Sequence, residues 1–212
     1  MDIRLDQPEE WQEVSQRVLA SGAVTDYRES EVRTTNGDTM LRQWLRNPGA
    51  VAIIALDEQD RVAVVNQYRH PVQMRLVEPP AGLLDVPGED PLDAARRELA
   101  EEAGLGAENW KILADLYPTP GSSSERLRVY LARELSEAPR PTGFVLSDEE
   151  ADMGLTWVPV EELRAGVLSG KVSNIGLVTG ILALALARET NAVEQLRDGE
   201  SPWAAHERAN GC

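Results

Sequence analysis

Apolar residues in the N-terminal part of the chain follow two successive patterns. Residues 7–20 carry apolar side chains three and four positions apart, which predicts a helix with one apolar face. The side chains concerned are those of Trp11, Val14, Val18 and Leu19. Residues 25–46 have a strand-like pattern, with a turn at Asn36-Gly37-Asp38. We therefore expect a helix followed by strands within an N-terminal section, residues 1–48.

The next stretch of chain predicts a β-hairpin. Residues 51–56 are continuously apolar, as in a buried strand, and the polar residues 57–60 are typical of a turn. Residues 61–68 then return as a second strand. A further strand is expected to reach Glu78, although not in the centre of a sheet, because the two prolines that follow cannot donate ladder hydrogen bonds.

The clearest helix signal begins at Asp90, which suits the N-cap. Pro91 suits the first helical position, Asp93 the first turn, and Gly104 the position after the helix. Downstream, the pattern predicts three strands and then two helices, at residues 110–117, 126–134, 154–159, 160–168 and 174–188. The irregular alternation, with several strand pairs close enough to be antiparallel, favours an α+β sandwich over a doubly wound parallel sheet.

Charge narrows the range of partners. The 212 residues include 36 acidic and 21 basic side chains, which gives a formal net charge of −15. Such a chain repels nucleic acid and anionic membranes at long range, so we expect it to bind neither. An anionic small molecule would need local positive charge, supplied by arginines or by a divalent metal.

Cysteine and histidine content narrows the range of metals. A single cysteine, Cys212, excludes an intrachain disulfide, and two histidines argue against a His-rich zinc site. Any metal is therefore expected to be a hard ion with oxygen ligands. The first six residues lack a signal-peptide pattern, and the longest apolar stretch, from Ile175 to Ala187, is shorter than the roughly 18 residues that span a bilayer. We expect a soluble, cytoplasmic protein.

The helix that follows Pro91 carries a cluster of carboxylates. At about 100° per residue, Glu98, Glu101 and Glu102 share one arc with Arg97, beside the apolar arc that faces the core. Glu98 and Glu102 are like charges four positions apart, which costs roughly 0.2–0.5 kcal/mol unless a divalent cation joins them. Taken alone, however, such a helix face is more simply a solvated surface.

The wider spacing favours the metal interpretation. Gly82 is followed by six residues, Glu89, seven further residues, and then the run from Arg97 to Leu105. This resembles the Nudix box, G-x5-E-x7-R-E-U-x-E-E-x-G-U, where U is apolar. The one departure is an extra residue between Gly82 and Glu89, in the loop ahead of the helix, which leaves the helical carboxylates in register.

Four flanking segments resemble the ADP-ribose pyrophosphatase branch of the Nudix family, and its actinobacterial members most closely. They are residues 67–70, 78–82, 120–125 and 149–153. The resemblance covers residues 49–190 well and residues 1–48 more weakly. It implies an α/β/α Nudix sandwich with a mixed sheet over 49–190, preceded by a small antiparallel β section over 1–48 and followed by a C-terminal tail over 191–212.

The resemblance also implies a ligand set for Mg²⁺, with Mn²⁺ as a possible substitute. Glu98 and Glu102 match the principal carboxylates, Glu101 matches a ligand to another ion or to a bound water, and the Ala81 carbonyl matches a backbone ligand. Arg97 would pair with these glutamates and hold their rotamers. Arg97 as an ordinary arginine of the helix surface is the competing interpretation.

Residues outside the box are implied to act on the substrate. Glu150, or its neighbour Glu149, matches the catalytic base, although the two could instead form a solvated acidic turn. Arg42 and Arg69 match positions that contact the phosphates or the terminal ribose, although either could instead make a surface salt bridge. Glu78 and Glu125 are weaker candidates for contacts with the substrate or a metal.

The implied reaction is the hydrolysis of ADP-ribose to AMP and ribose 5-phosphate. Mg²⁺ would hold the diphosphate while a water, deprotonated toward Glu150, attacks one phosphorus in line. The enzyme would be a homodimer whose N-terminal sheet packs across the partner, with Trp44 or Tyr27 either stacked on adenine or buried in the core.

Three alternatives remain. The substrate could be another nucleoside diphosphate derivative, namely a dinucleotide coenzyme, a nucleotide sugar or a diadenosine polyphosphate. The protein could be a non-catalytic ADP-ribose sensor, although such proteins usually lose box carboxylates. It could also be an acidic scaffold, which would show no metal dependence.

Overall fold

The computed structural model describes residues 5–140 and 154–210. The chain divides into two compact units. The N-terminal unit comprises Met1–Pro48 and Thr119–Glu125, and the main unit comprises Gly49–Pro118 and Arg126–Cys212. The described residues include no helix that is both long and apolar enough to cross a membrane.

The N-terminal unit contains a three-stranded antiparallel sheet in the order β1-β2-β3. Its strands are β1 (Glu13–Ser21), β2 (Asp26–Arg33) and β3 (Thr39–Arg46). Gly37 turns the chain between β2 and β3 at φ +93°, where its amide donates to the Thr34 carbonyl. The strands predicted on both sides of this glycine, and the turn itself, are confirmed.

The helix predicted over residues 7–20 is wrong, because β1 occupies most of this stretch. Val14 and Val18 lie four positions apart, and this even number matches one face of a strand as well as one face of a helix. Both side chains are exposed, as is every other residue of β1. The periodicity therefore did not distinguish between the two structures.

The main unit is built on a five-stranded mixed sheet in the order β11-β8-β9-β4-β7. Strand β4 runs parallel to β9, and the other three pairs are antiparallel. A second, antiparallel sheet has the order β10-β5-β6. The strands are β4 (Ala50–Ala55), β5 (Arg61–Arg69), β6 (Met74–Glu78), β7 (Ala81–Leu83), β8 (Leu105–Leu116), β9 (Leu127–Glu137), β10 (Leu155–Pro159) and β11 (Arg197–Asp198).

The predicted hairpin over residues 51–68 is also wrong, although both of its strands exist. Strands β4 and β5 lie in different sheets and share only the bridge between Leu56 and Val62. At the crossing, Asp57 accepts hydrogen bonds from the amides of Gln59 and Arg61. Strand β4 is buried on both faces, so it pairs with β9 and β7 rather than with the next strand along the chain.

Two hydrophobic cores lie on opposite faces of the mixed sheet. Val51, Ile53 and Ala55 point into the first core, whereas Ala52 and Ile54 point into the second. The first core includes side chains of α1 (Pro91–Glu98), and the second includes side chains of α2 (Val160–Leu168) and α3 (Ile175–Glu189). Helices therefore cover both faces of a mixed sheet, which confirms the predicted α/β/α sandwich.

Helix α1 continues without a break into a π-helical segment, Leu99–Ala103, and ends at Gly104 with φ +65°. The other helical elements within residues 5–140 and 154–210 are α4 (Ala204–Asn210) and two 3-10 helices, His70–Val72 and Val193–Gln195. The predicted strands and helices of residues 110–188 are all present, with ends within a few residues of those expected, except for β8, which begins five residues earlier.

Candidate active site

The carboxylates predicted to bind metal lie on the continuous helical stretch from Pro91 to Ala103. Its start is fixed by Asp90, whose side chain accepts a hydrogen bond from the Leu92 amide at 2.8 Å, as expected for an N-cap. Leu92, Ala95 and Leu99 anchor the inner face in the first core. The helix is therefore held along its apolar arc while its acidic arc stays at the border of the core.

Arg97 is the hub of this acidic arc. Its guanidinium makes two hydrogen bonds to the Glu89 carboxylate, at 2.9 and 3.0 Å. Its Nη1 also donates to Glu98 at 2.6 Å and to Glu101 at 3.1 Å. Hydrogen bonding to Glu89 is the largest of the effects that raise the pKa of Arg97 above its ordinary value. One cation therefore fixes the rotamers of three carboxylates.

Glu102 is held separately from this group. It is only 8% exposed, and its Oε2 accepts a hydrogen bond from the Ala81 amide at 3.0 Å. Ala81 opens β7, which pairs with β4 at the edge of the mixed sheet. The Glu102 carbonyl also accepts from Arg140 at 3.2 Å. The structure thus brings together Ala81 and Glu102, two residues that the sequence predicted as metal ligands.

Gly82 gives a physical reason for the first glycine of the box. A Cβ at this position would overlap the Cγ, Cδ and Oε1 atoms of Glu98. The Glu98 side chain therefore lies directly against the backbone of β7, and a larger residue at position 82 would displace it.

Arg69 and Glu78 form an ion pair with two hydrogen bonds, at 2.7 and 3.1 Å. They end the neighbouring strands β5 and β6. Glu78 is 2% exposed, whereas the Arg69 side chain is 41% exposed. A buried carboxylate thus holds a partly exposed arginine, an arrangement that directs a cation toward a ligand.

The donor chemistry of the site fits a hard divalent ion, because clustered carboxylates are the oxygen donors that Mg²⁺ takes. Among residues 5–140 and 154–210, however, no group of three or more His, Cys, Asp or Glu side chains is already arranged to hold a metal. Arg97 and the Ala81 amide engage oxygens of Glu98, Glu101 and Glu102.

The remaining predicted residues lie elsewhere. Glu149 and Glu150, the candidates for the catalytic base, lie outside the described residues. Arg42, on β3, and Glu125 both belong to the N-terminal unit. Burial raises the pKa of the Glu125 carboxyl above its ordinary value. The roles of Arg42 and Glu125 in substrate binding stay predictions.

Sequence reasoning missed two contacts at the site. Glu89 was recognised as part of the box but not as the two-pronged partner of Arg97. Arg140 was not singled out, because no motif marks an arginine that reaches the backbone carbonyl of Glu102. The spacing of the box pattern carried a signal for Glu89, whereas nothing in the sequence carried one for Arg140.

The fold and the carboxylate helix define the class of protein. The NUDIX domain family matches residues 46–174, which is more than half of the chain and includes the whole box. The chain therefore belongs to the Nudix family and is a Nudix hydrolase. This confirms the family that the box spacing indicated. Hydrolases of this family generally depend on a divalent metal ion.

Relatives and a solved structure narrow the comparison. The chain is 41% identical to an ADP-ribose pyrophosphatase of Mycobacterium tuberculosis over 194 residues, which cover 92% of this chain and 91% of that protein. It is 36% identical to a methanol dehydrogenase activator of Bacillus methanolicus, over 68% of this chain and 76% of that protein. A crystal structure of an ADP compounds hydrolase matches 89% of this chain and 100% of its own, with a TM-score of 0.70 and 18% identity, which supports the fold alone.

Proposed function

We propose that the protein hydrolyses the diphosphate linkage of ADP-ribose, giving AMP and ribose 5-phosphate. The observation that carries this proposal is the complete set of box carboxylates, with Glu89, Glu98 and Glu101 held by Arg97 and Glu102 held by the Ala81 amide. The substrate is suggested by the mycobacterial ADP-ribose pyrophosphatase, which aligns over nearly the whole of both chains.

In this proposal Glu98 and Glu102 are the principal ligands of Mg²⁺ or Mn²⁺, with Glu101 and the Ala81 carbonyl as further ligands. The ion would neutralise the diphosphate and polarise one phosphorus when bound. Arg97 orients Glu98 and Glu101 by its hydrogen bonds, and the backbone of Ala81 orients Glu102. Glu150, or Glu149, accepts the proton of the attacking water.

Substrate contacts are assigned to two arginines and one glutamate, with Glu78 holding one of the arginines. Arg69 would contact the diphosphate, because Glu78 holds its guanidinium while part of the arginine side chain stays exposed. Arg42 would contact a phosphate or the terminal ribose. Glu125 stays a weaker candidate for a substrate contact, in which its half-buried carboxyl would accept a hydrogen bond from a ribose hydroxyl. In a chain of net charge −15, these arginines supply the local positive charge that an anionic substrate needs.

We further propose a cytoplasmic homodimer in which residues 1–48 make the dimer contact by exchanging across the partner. The N-terminal unit exposes several large apolar side chains, which such a dimer contact would cover. They are Val14, Val18, Leu19, Val24, Tyr27, Leu41 and Leu45. Trp44 lies two positions from Arg42 on β3 and so shares its face, which suits an adenine contact.

A different diphosphate substrate is the main alternative. The relative from Bacillus methanolicus bears a different functional name at 36% identity, so membership of the family does not by itself fix the substrate. A dinucleotide coenzyme, a nucleotide sugar and a diadenosine polyphosphate therefore belong in the same assay as ADP-ribose. An ADP-ribose sensor is less well supported, because all the box carboxylates are present.

The deciding experiment measures product release from this panel of substrates with Mg²⁺ and with EDTA. Wild type is compared with Glu102→Gln and with Glu108→Gln, which alters an exposed glutamate outside the box. We expect metal-dependent release of AMP, fastest from ADP-ribose, lost in Glu102→Gln and kept in Glu108→Gln. If only another compound is cleaved, that compound and not ADP-ribose is the substrate. If ADP-ribose binds but is not cleaved, the protein is a sensor.

A further inference from the structure

The C-terminal residues 197–208, here called the C-terminal strap, pack closely against the rest of the main unit. Strand β11 pairs with β8, and the Gly199 amide then donates to the Trp110 carbonyl at 3.0 Å. A Cβ on Gly199 would lie 2.8 Å from the Cβ of Trp110 and 3.4 Å from a methyl carbon of Leu92. The strap therefore passes directly over the start of the carboxylate helix.

Arg128 of β9 binds the backbone of the strap. Its side chain is 2% exposed and makes two hydrogen bonds to Asp115, at 2.7 and 3.0 Å. The same guanidinium donates to the carbonyls of Ser201, at 2.8 Å, and Pro202, at 3.2 Å. Arg197 of the strap also reaches Asp115, at 2.7 Å. A buried, fully engaged arginine thus fixes the backbone of the strap to β9.

Trp203 of the strap packs its side chain in the first core, against which the carboxylate helix also packs. The Arg128 guanidinium lies 4.8 Å from its ring, and the His206 ring stacks on it at 5.9 Å. Trp203 is buried in the first core, which also contains Leu92, Ala95 and Leu99 of the helix. A cavity of about 100 Å³ is lined by Trp203 and by the helix start at Asp90 and Pro91.

We infer that the C-terminal strap is a positioning element for the reaction, acting through Trp203 on the carboxylate helix. The strap holds the first turn of the helix, and the helix carries Glu98 and Glu102 in fixed relation to β7. Loss of the indole would let the helix start move into the cavity and spoil the alignment of the carboxylates. This inference rests on the proposed metal-dependent hydrolysis but extends it to residues outside the box.

The test compares Trp203→Ala with Leu184→Ala, a matched large-to-small change in the second core, whose described members include no residue of α1. Amide hydrogen exchange is measured without metal over residues 91–104, and Mn²⁺ affinity is measured by electron paramagnetic resonance. We expect faster exchange of the helix and a roughly tenfold weaker Mn²⁺ affinity in Trp203→Ala only. Trp203→Phe should keep most of the slow helix exchange and most of the Mn²⁺ affinity of wild type.

The inference fails if exchange over 91–104 and Mn²⁺ affinity change no more in Trp203→Ala than in Leu184→Ala. Gly199→Ala is the milder variant should Trp203→Ala not fold, and it should give the same changes at smaller size. Hydrolysis of ADP-ribose by wild type is assayed in parallel. If wild type does not hydrolyse ADP-ribose but Trp203→Ala speeds exchange over 91–104, the proposed substrate is wrong and the role of the strap stands. If wild type is active but Trp203→Ala has no such effect, the role of the strap is wrong and the proposed substrate stands.

Discussion

Gly82 and Glu98 lie so close together that the glycine's missing side chain is the space the carboxylate occupies. One residue comes from an edge strand of the mixed sheet and the other from the helix that packs on it. The contact ties the position of a proposed metal ligand to the backbone of β7.

The first prediction concerns this contact. In Gly82→Ala the new methyl group must displace the Glu98 side chain, so we expect hydrolysis to fall roughly 10- to 100-fold. The accompanying loss of stability should be about 1–3 kcal/mol, as for other overpacked sites. Steady-state kinetics and urea unfolding measure the two effects.

The matched control is Gly170→Ala. Gly170 has φ +73°, and a methyl group added to it would meet no atom within 4 Å, so the substitution strains only the backbone, by about 1–2 kcal/mol. Its activity should equal that of wild type. Equal losses of activity in the two variants would show that Gly82 acts through stability alone.

The second prediction concerns Arg97. Arg97→Gln removes hydrogen bonds to Glu89, Glu98 and Glu101, so we expect kcat to fall roughly 10- to 100-fold. Arg97→Lys should fall between wild type and Arg97→Gln, because lysine keeps the charge without the planar fork. Arg96→Gln is the control, since Arg96 makes an exposed pair with Asp93 and should be dispensable. Full activity in Arg97→Gln would contradict the orienting role.

The third prediction tests whether Glu78 acts only by holding Arg69. If Glu78 acts by holding Arg69, Glu78→Gln should raise KM about tenfold and change kcat little, because the lost interaction binds substrate and transition state alike. Combined with Arg69→Ala, it should add almost nothing, because the two residues form one unit. Additive effects in this double-mutant cycle would mean that Glu78 contacts substrate or metal independently. Glu161→Gln, in an exposed pair with Arg164, serves as the control.

The fourth prediction concerns alkaline pH. Burial raises the pKa of Tyr130 to about 12, from an ordinary value near 10. The unfolded chain therefore loses the proton first, so Tyr130 lowers the free energy of unfolding as the pH rises from about 10 toward 12. Each pH unit in this window costs up to about 1.4 kcal/mol.

Urea unfolding between pH 9 and pH 11 checks this dependence. Tyr130→Phe should remove most of the slope while changing stability little near neutral pH. The window suits this protein because the chain contains only two lysines, Lys111 and Lys171, whose titration would otherwise overlap. The same slope in wild type and Tyr130→Phe would contradict the assignment.

Much of the site could be predicted because the box pattern acts within one helix. Once Pro91 starts the helix, its geometry alone brings Arg97 within reach of Glu101, four positions later. Asp90 and Gly104 mark the ends of the stretch by local backbone chemistry, which a sequence displays directly. The predicted strands and helices of residues 110–188 follow from the same local patterns.

The two wrong predictions of secondary structure concern segments whose structure depends on the strands with which they pair. A spacing of four residues between Val14 and Val18 fits both a helix and a strand, and only the pairing of β1 with β2 selects the strand. Two adjacent apolar strands resemble a hairpin unless the sheet partners are known, and β4 pairs with the distant β9 instead. The hold of Glu78 on Arg69 likewise depends on side-chain rotamers that the sequence does not reveal.

The parallel pairing of β4 with β9 also has a consequence during protein synthesis. Ala50 pairs with Leu127, so the centre of the main sheet cannot close until β9 has left the ribosome. At elongation rates of about 5–20 residues per second, β4 waits several seconds for its partner. During that interval a strand made wholly of apolar residues is exposed in the nascent chain, as a binding site for chaperones.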